Sequence, residues 1–97
     1  MKIEEITNNR PSLLLKTIYN LGFTLVEISK SIYPKNHENY LSGRFSEQRI
    51  KPKDMVLIVN FIVSRIGKAV FDAEYQKELD RYNKMMERRQ ALIDKNR

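Results

Sequence analysis

Residues 23–45 read FTLVEISKSIYPKNHENYLSGRF, and the way this stretch divides decides the fold. Thr24, Leu25, Val26 and Glu27 form a T-x-x-E capping box, in which the Thr24 hydroxyl accepts from the Glu27 amide and the Glu27 carboxylate accepts from the Thr24 amide. Phe23 before the cap and Ile28 at the fourth helical position supply the matching hydrophobic staple. The pattern predicts a helix from Thr24 to about Ile32, with Leu25, Ile28 and Ile32 on its buried side. It must end before Pro34, because proline disfavours helical geometry at Tyr33. After the polar turn PKNHEN a further helix is predicted over about 37–45, with Asn36 as its cap and Leu41 and Phe45 four residues apart on the buried side. Gly43 weakens that helix by about 1 kcal/mol relative to alanine.

Upstream, Leu14, Leu15, Ile18 and Leu21 recur at helical spacing over Ser12 to Leu21, with Pro11 before the run and Gly22 in the usual stop position. Residues 1–10 carry little pattern beyond Ile3 and Ile6, and an extra turn and a loose arm both fit them. Downstream, Pro52 suits the first position of a helix and Asp54 favours its positive N-terminal end. The run MVLIVNFIVSRI over 55–66 is rich in β-branched residues, so a buried strand is its rival reading. The length of the run and the lack of a strand partner elsewhere favour a helix buried on most sides. From Lys68 to Arg97 there is neither proline nor glycine, which predicts one long helix. Its stripe Phe71, Tyr75, Leu79, Tyr82, Met86 and Ile93 follows a straight-helix period rather than a strict heptad. Glu74 with Lys77, Glu78 with Arg81 and Asp80 with Lys84 are spaced to pair along it. The expected fold class is therefore all-α: a compact helix-turn-helix domain of four short helices over 1–66, followed by a long C-terminal helix over 67–97.

At 97 residues the chain suits a single core, and a domain of this size hides only about 60 to 65% of the surface its unfolded chain exposes. With no cysteine and one histidine, His37, disulfides and a zinc cage are excluded and no metal or other cofactor is expected. No segment has the length and apolarity of a membrane span, and MKIEEITNNR lacks the apolar stretch of a signal peptide. These features predict a cytoplasmic protein without membrane contact. There is no glycine-rich phosphate loop, nucleophile elbow or metal-ligand cluster, so catalysis is not expected.

The net charge is +6, and its densest part lies over 34–53, where Lys35, Arg44, Arg49, Lys51 and Lys53 stand against Glu38 and Glu47. A polyanionic partner suits this patch, as does a merely solvated basic loop. Reading duplex DNA requires a helix that enters the major groove, short amide or hydroxyl donors near its start, and an arginine to fork onto guanine. Asn36, His37, Asn39, Tyr40, Ser42 and Arg44 are the base-reading candidates, exposed if Leu41 and Phe45 face the core. Thr24, Lys30, Lys35, Arg49, Lys51 and Lys53 are the candidates for phosphate contact, which positions a protein without reading sequence.

The motif FTLVEISKSI resembles the second helix of the Cro and phage-repressor (XRE-type) family of helix-turn-helix regulators, which often begins Thr-Gln-Glu-Glu-Leu-Ala. Ile28 and Ser29 stand where Leu-Ala usually stands. RIKPKDMVLIVNFI resembles that family's basic loop, proline and fourth helix, so the likeness covers about residues 12–66. The chain departs from the family at the turn, where Tyr33 holds the usual glycine position and PKNHEN is longer than the family's loop. The resemblance implies sequence-specific binding of double-stranded DNA and a small transcriptional regulator of a phage, plasmid or similar mobile element. It also implies a homodimer matched to two half-sites, with no small-molecule effector indicated. The stripe Phe71, Tyr75, Leu79, Tyr82, Met86 and Ile93 is the candidate dimer interface, and folding back to finish the core is the equal alternative. The competing function is a protein-binding adaptor or a phage-encoded inhibitor acting through the C-terminal helix, whose Tyr75, Tyr82, Met85 and Met86 are side chains suited to anchoring an interface.

Overall fold

The computed structural model describes residues 11–96. Residues 1–10, including Ile3 and Ile6, and Arg97 at the expected end of the last helix lie outside the described residues. The elements are α1 (Pro11–Asn20), α2 (Leu25–Ile32), α3 (Tyr40–Ser46), α4 (Pro52–Ile66) and α5 (Lys68–Lys95), with no strand among the described residues. The chain is all-α with a long C-terminal helix, and the β-branched run over 55–66 is helical. It presents Met55, Ile58, Val59 and Ile62 to the interior at helical spacing. Inside a core this one-sided packing outweighs the modest β preference of valine and isoleucine.

The helix ends follow from local chemistry. Pro11 takes the first turn of α1 rather than preceding it, a place where its missing N–H is no loss. At the other end Gly22, at φ 84°, lets Phe23 N–H reach Ile18 C=O at 3.1 Å and Gly22 N–H reach Tyr19 C=O at 3.0 Å. This is a Schellman termination, which satisfies carbonyls that the helix would otherwise leave bare. The α2 capping box forms in full: Thr24 N–H donates to Glu27 Oε1 at 2.7 Å and Glu27 N–H donates to Thr24 Oγ1 at 3.2 Å. Phe23 and Ile28 both join the core, and the Phe23 ring meets Phe61 of α4 edge-on at 6.0 Å.

One core draws on all five helices. Leu13, Leu14 and Ile18 of α1, Leu25 and Ile28 of α2, Leu41 of α3, Met55, Ile58, Val59 and Ile62 of α4, and Phe71 and Tyr75 of α5 are buried together. The first half of α5 thus completes the core. Glu78, also buried, accepts from Asn20 Nδ2 at 2.8 Å and from Arg81 Nη1 at 2.6 Å, which fastens the end of α1 to α5. Glu74 pairs with Lys77 at 3.1 Å as its spacing predicts, whereas Asp80 accepts from Gln76 instead of pairing with Lys84.

At 28 residues, α5 is about 42 Å long, and from Glu87 to Asn96 every residue is exposed. The helix therefore runs on past the core it helps to build. The radius of gyration is 15.1 Å, against about 12.5 Å for a compact chain of this length.

Candidate functional site

The connection between α2 and α3 places the proposed reading residues. Asn36 N–H returns to Tyr33 C=O at 3.0 Å, Tyr40 N–H bonds His37 C=O at 2.9 Å, and Asn39 N–H donates to His37 Nδ1 at 3.1 Å. The His37 ring is thus a local acceptor at Nδ1 and presents Nε2 outward. These turns occupy residues expected to be helical: α3 begins at Tyr40, so Asn36, His37 and Asn39 lie in the turn before it and Asn36 does not cap it. The cap comes from another helix. The hydroxyl of the buried Ser29 in α2 accepts from Leu41 N–H at 3.1 Å, and no side-chain bond from Asn39 is needed.

Asp54 joins three elements. Its side chain is fully buried at the start of α4 and accepts from the Tyr33 hydroxyl through Oδ1 and from Lys51 N–H through Oδ2 at 3.0 Å. Arg44 Nε stands 3.6 Å from the same Oδ2 and donates to the Tyr40 hydroxyl at 2.9 Å. The guanidinium lies over the Tyr40 ring at 4.9 Å, and the Tyr33 and Tyr40 rings meet edge-on at 4.9 Å. Burial pushes the Tyr33 phenol up to about 12, helped by its bond to the negative Asp54. A buried carboxylate is tolerable only with such donors around it. As a result the Arg44 side chain is only 19% exposed and Tyr40 is half-buried; Ser42, outside this cluster, is half-buried as well. These three are corrected from freely exposed candidates to residues partly engaged by the fold.

The face of α3 opposite Leu41 remains outward, carrying Asn39, Gly43 and Glu47 at successive turns. It forms a shallow concavity of about 320 Å³ lined by His37, Asn39, Tyr40, Gly43, Arg44, Glu47 and Arg49. Four of the six base-reading candidates meet there, whereas Asn36 and Ser42 do not line it. Of the phosphate candidates, Lys35 and Lys51 are exposed in the connections before and after α3, and Lys53 is exposed in the first turn of α4. Lys30 is 3.4 Å from Glu38 and Arg49 is 3.3 Å from Glu47, both solvent-exposed pairs that a stronger anion can displace at small cost. Thr24 stands exposed at the start of α2 with its hydroxyl oxygen already accepting from Glu27.

The candidate dimer stripe divides in two. Phe71 and Tyr75 are fully buried in the chain's own core and are corrected from pairing residues to core residues. Leu79, Tyr82 and Met86 are half-buried, and only Ile93, at 43% exposure, lies on the projecting end. Beside it Met85 and Leu92 are 57% and 55% exposed, so the apolar surface of the tip is built as much from these two as from the original stripe.

Sequence reasoning missed the Ser29 cap and the Asp54 hub. For Ser29 the signal was a hydroxyl within an otherwise apolar helix face; for Asp54 the acid at the third helical position pointed only to the positive N-terminal end of α4. Among the described residues no helix is long and apolar enough to cross a membrane, and no cluster of His, Cys, Asp and Glu could hold a metal ion. Comparison with protein-family models, curated proteins and solved structures finds no match to the chain.

Proposed function

We propose that the chain is a non-enzymatic, sequence-specific binder of duplex DNA, a cytoplasmic homodimer that lays α3 into the major groove. The observation that carries this is the convergence of Asn39, Tyr40, Arg44, His37 and Arg49 on one outward concavity, with Lys35, Lys51 and Lys53 exposed in the segments that flank α3 in the chain. An amide and a guanidinium are groups that read base edges, and lysines are groups that hold phosphates. Arg44 engages Asp54 and Tyr40 through Nε, and its terminal Nη pair is the group that would fork onto guanine. The role as a regulator of a phage or similar element rests on the small size and the Cro-like resemblance of residues 12–66.

Selection from a random duplex pool tests this reading, because enriched sequences report both preference and half-site symmetry. Affinity for the recovered duplex should fall steeply between low and physiological salt. Failure to enrich any sequence sinks the reading. The exposed Met85, Leu92 and Ile93 at the tip of α5 favour a second reading, a protein-binding adaptor or inhibitor. Binding through that apolar surface would respond little to salt.

A further inference from the structure

Gly43 lies in the middle of α3, one turn beyond Asn39 and one turn before Glu47. Nothing inside the chain calls for glycine there: the backbone is helical, and a Cβ built at this position meets no atom within 4 Å. Glycine nevertheless weakens a helix interior relative to alanine, and α3 has only seven residues. A residue that destabilises a short helix without relieving any internal crowding keeps open a space outside it.

That space opens onto the concavity that Gly43 lines together with Asn39 and Arg44. We propose that the Gly43 backbone is a contact point for the major-groove edge of a base pair, which approaches to van der Waals distance while Asn39 and Arg44 offer donors on either side. The inference rests on the duplex-binding reading and assigns Gly43 a part in specificity. A base edge uses the lining of this recess more fully than a phosphate does, because beside the Arg44 and Arg49 donors it also holds acceptors, the Asn39 amide oxygen and the Glu47 carboxylate. A carboxylate repels a phosphate but accepts from the amino group of adenine or cytosine.

Gly43→Ala tests it, since the added methyl enters open space in the free protein and only an incoming partner would meet it. The melting temperature should rise, while affinity for the duplex recovered from the random pool falls at least about fivefold and affinity for an unrelated duplex of equal length is unchanged. Ser64→Ala, exposed on α4 and outside the concavity, should leave both affinities alone. If Gly43→Ala binds the recovered duplex as tightly as the parent chain, the proposal is overturned while duplex binding stands. If the parent chain enriches no duplex at all, both fall together.

Discussion

Asp54 shows how one buried acid organises a surface that it does not itself reach. Tyr33 closes α2, Arg44 and Tyr40 belong to α3, and Lys51 precedes α4, yet all four are set by a single carboxylate. Asp54→Ala leaves the phenol, an amide and a guanidinium short of their acceptor and should cost about 3 kcal/mol, read as a lower urea midpoint with an unchanged slope. The same contact predicts an alkaline weakness. Tyr33 is held at about 12 against 10.0 for a free tyrosine. Its contribution to stability is therefore complete below pH 10 and lost as pH rises through 12. Burial also raises the Tyr75 phenol, so both act in the same direction. Unfolding midpoints measured at pH 9 and pH 11 should differ less in Tyr33→Phe than in the parent chain, and an equal difference would remove this assignment.

At the level of the element, α1 and α3 end in the same geometry on different residues. Behind α3, Arg49 N–H reaches Arg44 C=O at 2.8 Å and Gln48 N–H reaches Phe45 C=O at 3.2 Å, with Gln48 at φ 57° where α1 has Gly22. A side chain in the left-handed region costs about 1 kcal/mol, so Gln48→Gly should raise the melting temperature by a few degrees, as calorimetry would show. This pair also marks what was legible in the sequence. Gly22 announces its stop and Thr24 with Glu27 announces a start, because both signals are local in the chain. The end of α3 at Gln48 carries no such mark, and its start depends on Ser29, twelve residues earlier. The candidate site was accordingly found as a region but misplaced in detail: local propensity gave the helix, and tertiary hydrogen bonds chose its first residue. Arg44 and Tyr40 were identified by type, but their engagement with Asp54 is a contact between elements that no local pattern encodes.

Across the whole molecule, α5 divides into a half that builds the core and a half that stands clear of it, where the proposed association would take place. Its first half is core, fixed by Phe71, Tyr75 and Glu78; further on Met85 is 57% exposed beside α1, and Leu92 and Ile93 stand exposed on the last turns. Helical segments standing alone in water are marginal at this length, which suits a tip that gains its partner from a second copy. Replacing Met85 and Leu92 by glutamate together should turn the proposed dimer into a monomer in sedimentation velocity while leaving the melting of the core nearly unchanged. A parent chain that already sediments as a monomer would end the dimer assignment. Gly67, at φ 90° and ψ 152°, is the single residue between α4 and α5, and this backbone region is almost closed to other residues. From that corner onward α5 is unbroken, so its inner and outer faces are keyed to each other like the teeth of one shaft. Adding a single residue after Asn83 would swing the distal apolar side by about 100° about the axis, whereas adding eleven would restore its heading about 16 Å further out.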